Sequence, residues 1–134
     1  MSKFWIKDIE EMHNKYGVNA VVESMDKLTL QKFLTFRTSF LEEELCELKE
    51  AKNADDAVDA LIDLCVVAIG TLDAFQVDSG IAWDRVFAAN MNKLVGVKST
   101  RPNPLGLPDL IKPKEWQAPQ HIDNVGLFSQ VFGE

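Results

Sequence analysis

No proline occurs before residue 102, and all five prolines of the 134-residue chain fall between Pro102 and Pro119. Proline removes a backbone donor and breaks a helix from within, so the proline-free stretch can sustain long helices that the tail cannot. The chain accordingly divides into a helical body, residues 1–95, and an irregular tail, residues 96–134, expected to pack on the body or on a neighbouring subunit. No strand-like alternation of any length precedes the tail.

Four helices follow from the spacing of apolar residues. "FWIKDIEEMHNKYG" places Phe4, Ile6, Ile9 and Met12 at near-helical intervals and ends on Gly17, where a helix can close. After a short polar passage, "LTLQKFLTFRTSFLEEELCELKEAKNA" carries Leu30, Phe33, Leu34, Leu41, Leu45 and Leu48, with Thr29 as the expected N-cap. "DDAVDALIDLCVVAIGTLDAF" opens with Asp55 and Asp56, which suit a helix N-terminus; Gly70 inside it marks close packing or a bend. "SGIAWDRVFAANMNKLVG" supplies Ile81, Val86, Phe87 and Met91 for a fourth helix closed by Gly96. The expected fold is all-α, a four-helix-type bundle of antiparallel helices with short connections.

The third of these helices poses a chemical question. From Ala57 to Leu72 the only charged side chains are Asp59 and Asp63, one turn apart on one face of a helix that is apolar nearly all round. A buried carboxylate needs a basic side chain, a protonated neighbour or a metal ion beside it. The preceding helix offers its own acids in "FLEEELCELKEA". With Leu41, Leu45 and Leu48 as the core stripe, Glu44 and Glu47 fall along its border, while Glu42 and Glu50 face solvent. The short link around Asn53 makes the two helices a hairpin, so the acidic pairs can face each other. Only Lys32, Arg37, Lys49 and Lys52 are basic on these two helices, which favours a metal over an ion pair. Oxygen donors without sulfur or histidine suit Mg²⁺ or Mn²⁺.

Composition narrows the function classes. A net charge of -7 argues against nucleic-acid binding, which needs a basic surface, although an acidic chain can still bind a polyphosphate through metal ions. The most apolar run, Leu64 to Leu72, is too short to span a bilayer, and no signal-peptide pattern opens the sequence. A cytoplasmic protein is expected, in the host cytoplasm if a phage encodes it. Cys46 and Cys65 read as reduced core thiols. His13 and His121 read as isolated surface or packing residues, and Trp5, Trp83 and Phe36 as core.

Together "FLEEELCELKEA", "DALIDLCVVAIG" and "VFAANMNKL" resemble the all-α nucleoside triphosphate pyrophosphohydrolases, the superfamily of MazG-like proteins, phosphoribosyl-ATP pyrophosphohydrolases and dimeric dUTPases. The tail segment "LPDLIKPKEWQAP" is similar to the short single-domain members of phages and bacteria. The family pattern is E-E-x-x-E followed by E-x-x-D. Glu43, Glu44 and Glu47 match the first block and Asp63 the aspartate of the second, but Ala60 stands where the second glutamate is expected, with Asp59 as its substitute. The resemblance implies Mg²⁺- or Mn²⁺-dependent hydrolysis of a nucleoside triphosphate to monophosphate and pyrophosphate, with more than one ion per site. Glu44, Glu47, Asp59 and Asp63 are then the metal ligands, and Glu43 a general base or further ligand. Asn90 and Lys93, one turn apart, are the expected phosphate donors, with Arg37, Lys98, Arg101 and Lys112 as further substrate contacts.

A small bundle with one helix apolar all round leaves apolar surface uncovered as a monomer, and family members build sites at subunit contacts. A homotetramer of two dimers is expected in preference to a dimer. The substrate expected first is a purine (deoxy)nucleoside triphosphate, dGTP above others. Two alternatives stand beside this reading: cleavage of phosphoribosyl-ATP, and a non-catalytic acidic bundle that docks a basic partner helix. The latter requires surface acids on the third helix.

Overall fold

The computed structural model describes residues 3–98, 100–101 and 103–134. Its helices are α1 (Lys3–Tyr16), α2 (Val18–Glu23), α3 (Lys27–Lys49), α4 (Ala54–Ala74), α5 (Ser79–Met91) and α6 (Phe128–Phe132); two short strands, β1 (Leu94–Gly96) and β2 (Asp109–Ile111), pair antiparallel. The fold is all-α, as expected.

Local chemistry sets the helix starts. Three of the helices begin behind an Asp or Asn whose side chain accepts a hydrogen bond from an otherwise unpaired backbone N–H: Asp26 from Thr29, Asn53 from Asp56 and Asp78 from Ile81. The cap of α3 is therefore Asp26, and Thr29 is the donor to it. Gly17 ends α1 in the left-handed conformation, φ 69°, as the sequence predicts. The "short polar passage" after it is a further turn of helix, α2, because Val22 buries against the core. The fourth predicted helix stops at Met91 instead of Gly96, since residues 94–96 pair with the tail as β1. That hairpin and α6 give the otherwise irregular tail two ordered segments.

α3 on α4 is the most extensive helix contact. Their contacts run from Glu47 and Asp63 near the link to Phe33 and Phe75 at the far end, the order of an antiparallel pair. The core sits at that far end, where Val22, Leu30, Ala74, Phe75 and Val131 are buried together. Phe75, 0% exposed, stacks between Phe33 at 5.6 Å and Phe128 at 4.1 Å between centroids. The tail is fastened to this core and to α5. The Leu127 N–H donates to Phe75 O at 2.7 Å, Arg85 grips Asp123 through two nitrogens, and Trp116 Nε1 donates to Ala89 O at 2.6 Å.

Burial departs from several sequence expectations for one reason: in a small bundle only the faces turned to a neighbouring helix are covered. Leu45 and Cys46 of α3 are exposed, so Cys46 is not a core thiol. Trp5, Phe36 and Trp83 are partly exposed and not core. The all-round apolar α4 is covered along its last turns, Ile69 to Ala74, whereas Val58, Leu61 and Ile62 in its first half face solvent.

The aromatic stack makes Phe75 the side chain on which core and tail both depend. Phe75→Ala should cost about 3–5 kcal/mol in urea unfolding, and the tail should become protease-sensitive at lower denaturant than the wild type.

Candidate metal and nucleotide site

The half of the α3–α4 hairpin nearer the link holds the acids. Glu44 and Glu47, three residues apart on α3, face Asp63 of α4, and one carboxylate oxygen from each lies within 4.8 Å of the others. None of the ion pairs among the described residues involves this cluster; they join His13 to Asp73, Arg85 to Asp123 and Arg101 to Asp109. The negative charges therefore crowd one another. A hydrogen bond shared with Glu47, then burial and the charges of Glu47, Asp63 and Glu43, push the Glu44 carboxyl up to about 7. Burial first, then Asp59 and Glu47, raise that of Asp63.

These residues fit a hard divalent cation. The donors are all carboxylate oxygens, and Glu44 Oε2 is buried without a hydrogen-bond partner among the described residues, a costly arrangement unless something positive satisfies it. A cation and a proton would compete for the same oxygens. Asp59 stands apart from the close trio. It is exposed and borders an acidic cavity of roughly 290 Å³ with Glu47, Glu50 and Asp56, from which its charge still reaches Asp63. Ala60, where the resemblance leads one to expect a glutamate, is 2% exposed. A glutamate there would have to enter the packed interior, so Asp59 is the acid of this helix turn with an open face.

A second cavity, roughly 320 Å³, adjoins the trio between α1, α3 and α4; Glu43 and Glu44 form one side, and Met12, Phe40, Val66 and Val67 supply apolar walls. Arg37 closes another part of it. Arg37 Nε donates to Thr71 Oγ1 and Nη2 to Val67 O, both at 3.0 Å, and burial lowers its pKa. A bond from arginine across to α4 needs a close approach. Gly70 allows it, since a Cβ there would lie 2.8 Å from Arg37 Nη2 and 3.4 Å from His13 Nε2. Gly70 thus marks close packing and not a bend.

The sequence reading missed His13. Far from isolated, it is buried and its Nδ1 lies 2.6 Å from Asp73 Oδ2. One signal could have found it: His13 follows Ile9 by four residues and so shares its inward face. The remaining predicted contacts are elsewhere. Asn90 and Lys93 border a cavity with Trp83, Val86 and Phe87 that shares no residue with the acidic trio. Lys93 lies beyond the end of α5, its Nζ 5.3 Å from the Trp116 ring centre, with Lys112 at 5.0 Å. Arg101 is paired with Asp109, whose carboxyl also feels the charge of Lys98.

The profile of the family described as phosphoribosyl-ATP pyrophosphohydrolase matches residues 19–90, more than half of the chain. The chain belongs to this family, a branch of the MazG-like superfamily of nucleotide pyrophosphohydrolases. The match runs from α2 to α5 and excludes α1 and the tail. Comparisons with curated proteins and with solved structures found no match.

Removing one charge from the crowded trio should relieve repulsion. Asp63→Asn is expected to melt at a higher temperature than the wild type in EDTA and to lose the stabilisation by Mn²⁺, about 2.7 kcal/mol at a hundredfold excess over Kd. Asp59→Ala, outside the trio, should keep a thermal shift with Mn²⁺ affinity reduced by roughly tenfold or more. Differential scanning fluorimetry against Mn²⁺ concentration checks both.

Proposed function

We propose that the protein hydrolyses a purine (deoxy)nucleoside triphosphate, dGTP first, to the monophosphate and pyrophosphate in a single step. The observation that carries this is the uncompensated trio of Glu44, Glu47 and Asp63 next to the cavity bordered by Arg37 and Glu43. Glu44, Glu47 and Asp63, with Asp59 beside them, would hold Mg²⁺ or Mn²⁺, more than one ion per site. Such ions neutralise the triphosphate and make water a competent nucleophile near neutral pH.

The chain's own groups do the rest. Glu43 is exposed on the cavity side of the trio, where it accepts the proton of the attacking water. Water adds to the α-phosphorus, the α–β phosphoanhydride bond breaks, and pyrophosphate leaves with the bonding electron pair. Arg37 faces the same cavity and is a further substrate contact in this reading. Asn90, Lys93, Lys98 and Arg101 are phosphate contacts in this reading; Asn90 and Lys93 act across a subunit contact, because within one chain they border a separate cavity.

That requirement agrees with the exposed apolar residues Val58, Leu61 and Ile62 on α4 and Phe87 and Met91 on α5, which a homotetramer would cover. The net charge of -7 speaks against nucleic acid as a partner, and no helix of the described residues is long and apolar enough to cross a membrane. Cytoplasmic location goes with a nucleotide substrate. The family match favours a second reading, cleavage of phosphoribosyl-ATP, which carries the same triphosphate on a purine.

Purified protein incubated with Mg²⁺ and, separately, dGTP, the other dNTPs and phosphoribosyl-ATP should release pyrophosphate and monophosphate, fastest from dGTP. Diphosphate plus inorganic phosphate as first products would refute cleavage at the α-phosphorus. Faster turnover of phosphoribosyl-ATP would move the assignment to the second reading. Light scattering should give four chains per particle, and Lys93→Ala should lower kcat/KM without changing the Mn²⁺ thermal shift.

A further inference from the structure

We propose that the cavity between α1, α3 and α4 is the nucleobase pocket, and that His13, oriented by Asp73, and Arg37 read the edge of the base. This rests on the nucleotide reaction proposed above and names the part of the site that selects among nucleotides. Neither His13 nor any other residue of α1 falls within the family match.

The cavity has the make-up of a small-molecule pocket: a volume at the lower end of the usual range of about 300–1,000 Å³, apolar walls and a few converging polar groups. Met12, Val66 and Val67 are its apolar sides, with the Phe40 ring packed against Phe36 at 4.4 Å and under the Arg37 guanidinium at 5.7 Å. It adjoins the acidic trio through Glu44. A base placed here leaves its triphosphate on the carboxylate side.

Its polar groups are held in fixed roles. The His13 side chain is 6% exposed, and Nδ1 meets Asp73 at 2.6 Å. A carboxylate only accepts, so Nδ1 carries the proton, and in the neutral ring Nε2 is left as an acceptor without a protein partner among the described residues. Arg37 is the reverse. Two of its N–H groups are spent on Thr71 and Val67, and the remaining ones of the five can only donate. His13 and Arg37 both line the cavity, so with the ring in its neutral Nδ1–H form the pocket offers an acceptor near donors. Guanine complements that pair, with N1–H as donor beside O6 as acceptor. A base lacking these groups leaves buried His13 and Arg37 atoms unpaired, which is how a polar pocket rejects an analogue.

The test is equilibrium binding by calorimetry of the full chain in Mg²⁺, with the non-hydrolysable α,β-methylene triphosphates of deoxyguanosine and of purine deoxyriboside, which lacks O6 and N1–H. The wild type should bind the guanine analogue at least about tenfold more tightly, and His13→Leu should bring that ratio below about threefold; His13→Met serves if the leucine variant does not fold. His13→Gln, which puts an amide oxygen near the Nε2 position, should keep a ratio above that of the leucine variant. Asp73→Ala should lower the ratio and add nothing to His13→Leu, as expected of a residue that acts only by orienting the ring. A wild-type ratio near one, a ratio unchanged in His13→Leu, or additive losses with Asp73→Ala would overturn the assignment even if dGTP is hydrolysed. A base-dependent ratio that His13→Leu abolishes, in a protein that hydrolyses no triphosphate, would sustain the pocket and sink the reaction.

Discussion

Like charges brought together between two helices repel, and everything else in this structure bears on how α3 and α4 hold Glu44, Glu47 and Asp63 within a few ångströms of one another. The carboxylates cannot supply that attraction. It comes from the ends of the hairpin: the aromatic stack of Phe33, Phe75 and Phe128 at one end, and the tight link capped by Asn53 at the other. Between them the Arg37 side chain spans from α3 to the Val67 carbonyl and Thr71 hydroxyl of α4, over Gly70. Packing energy elsewhere in the hairpin offsets the electrostatic cost of the acidic cluster.

The same hairpin organises its surroundings. α1 lies across α4 and brings His13 to Asp73 beside the acids, so an apolar-walled cavity with fixed polar groups adjoins the carboxylates. The tail, fastened through Phe128 and Trp116, completes the core at the far end. Its lysines Lys93 and Lys112 gather round Trp116 and Arg101 turns to Asp109.

Much of the acidic cluster was legible because helical geometry converts sequence spacing into direction. Glu44 and Glu47 on the border of a leucine stripe, and Asp63 in an apolar helix after a short link, leave few arrangements in which they do not meet. Asp59 shows the limit of that logic: it shares a helix face with Asp63 yet lies outside the close trio, exposed beside Glu50 and Asp56. Periodicity states which way a side chain points and not how deep the neighbouring helix sits. His13 was missed for a related reason, since its partner is sixty residues away on another helix. Lys93, expected on the fourth helix, lies beyond its end because β1, which follows, pairs with a segment of the tail.

By itself the sequence determined the all-α body, the helix boundaries within a few residues and the acids that face the hairpin's interior, since these depend on spacing, proline position and capping within short stretches of chain. Tertiary structure alone decided which acids come within reach of one another, that Arg37 serves the α3–α4 contact as well as the cavity, and that His13 and Asp73 form a pair. It also decided that Leu45, Cys46 and half of α4 stay exposed in a single chain. The reason is that burial and side-chain pairing are properties of two surfaces in contact, and a linear pattern specifies only one of them.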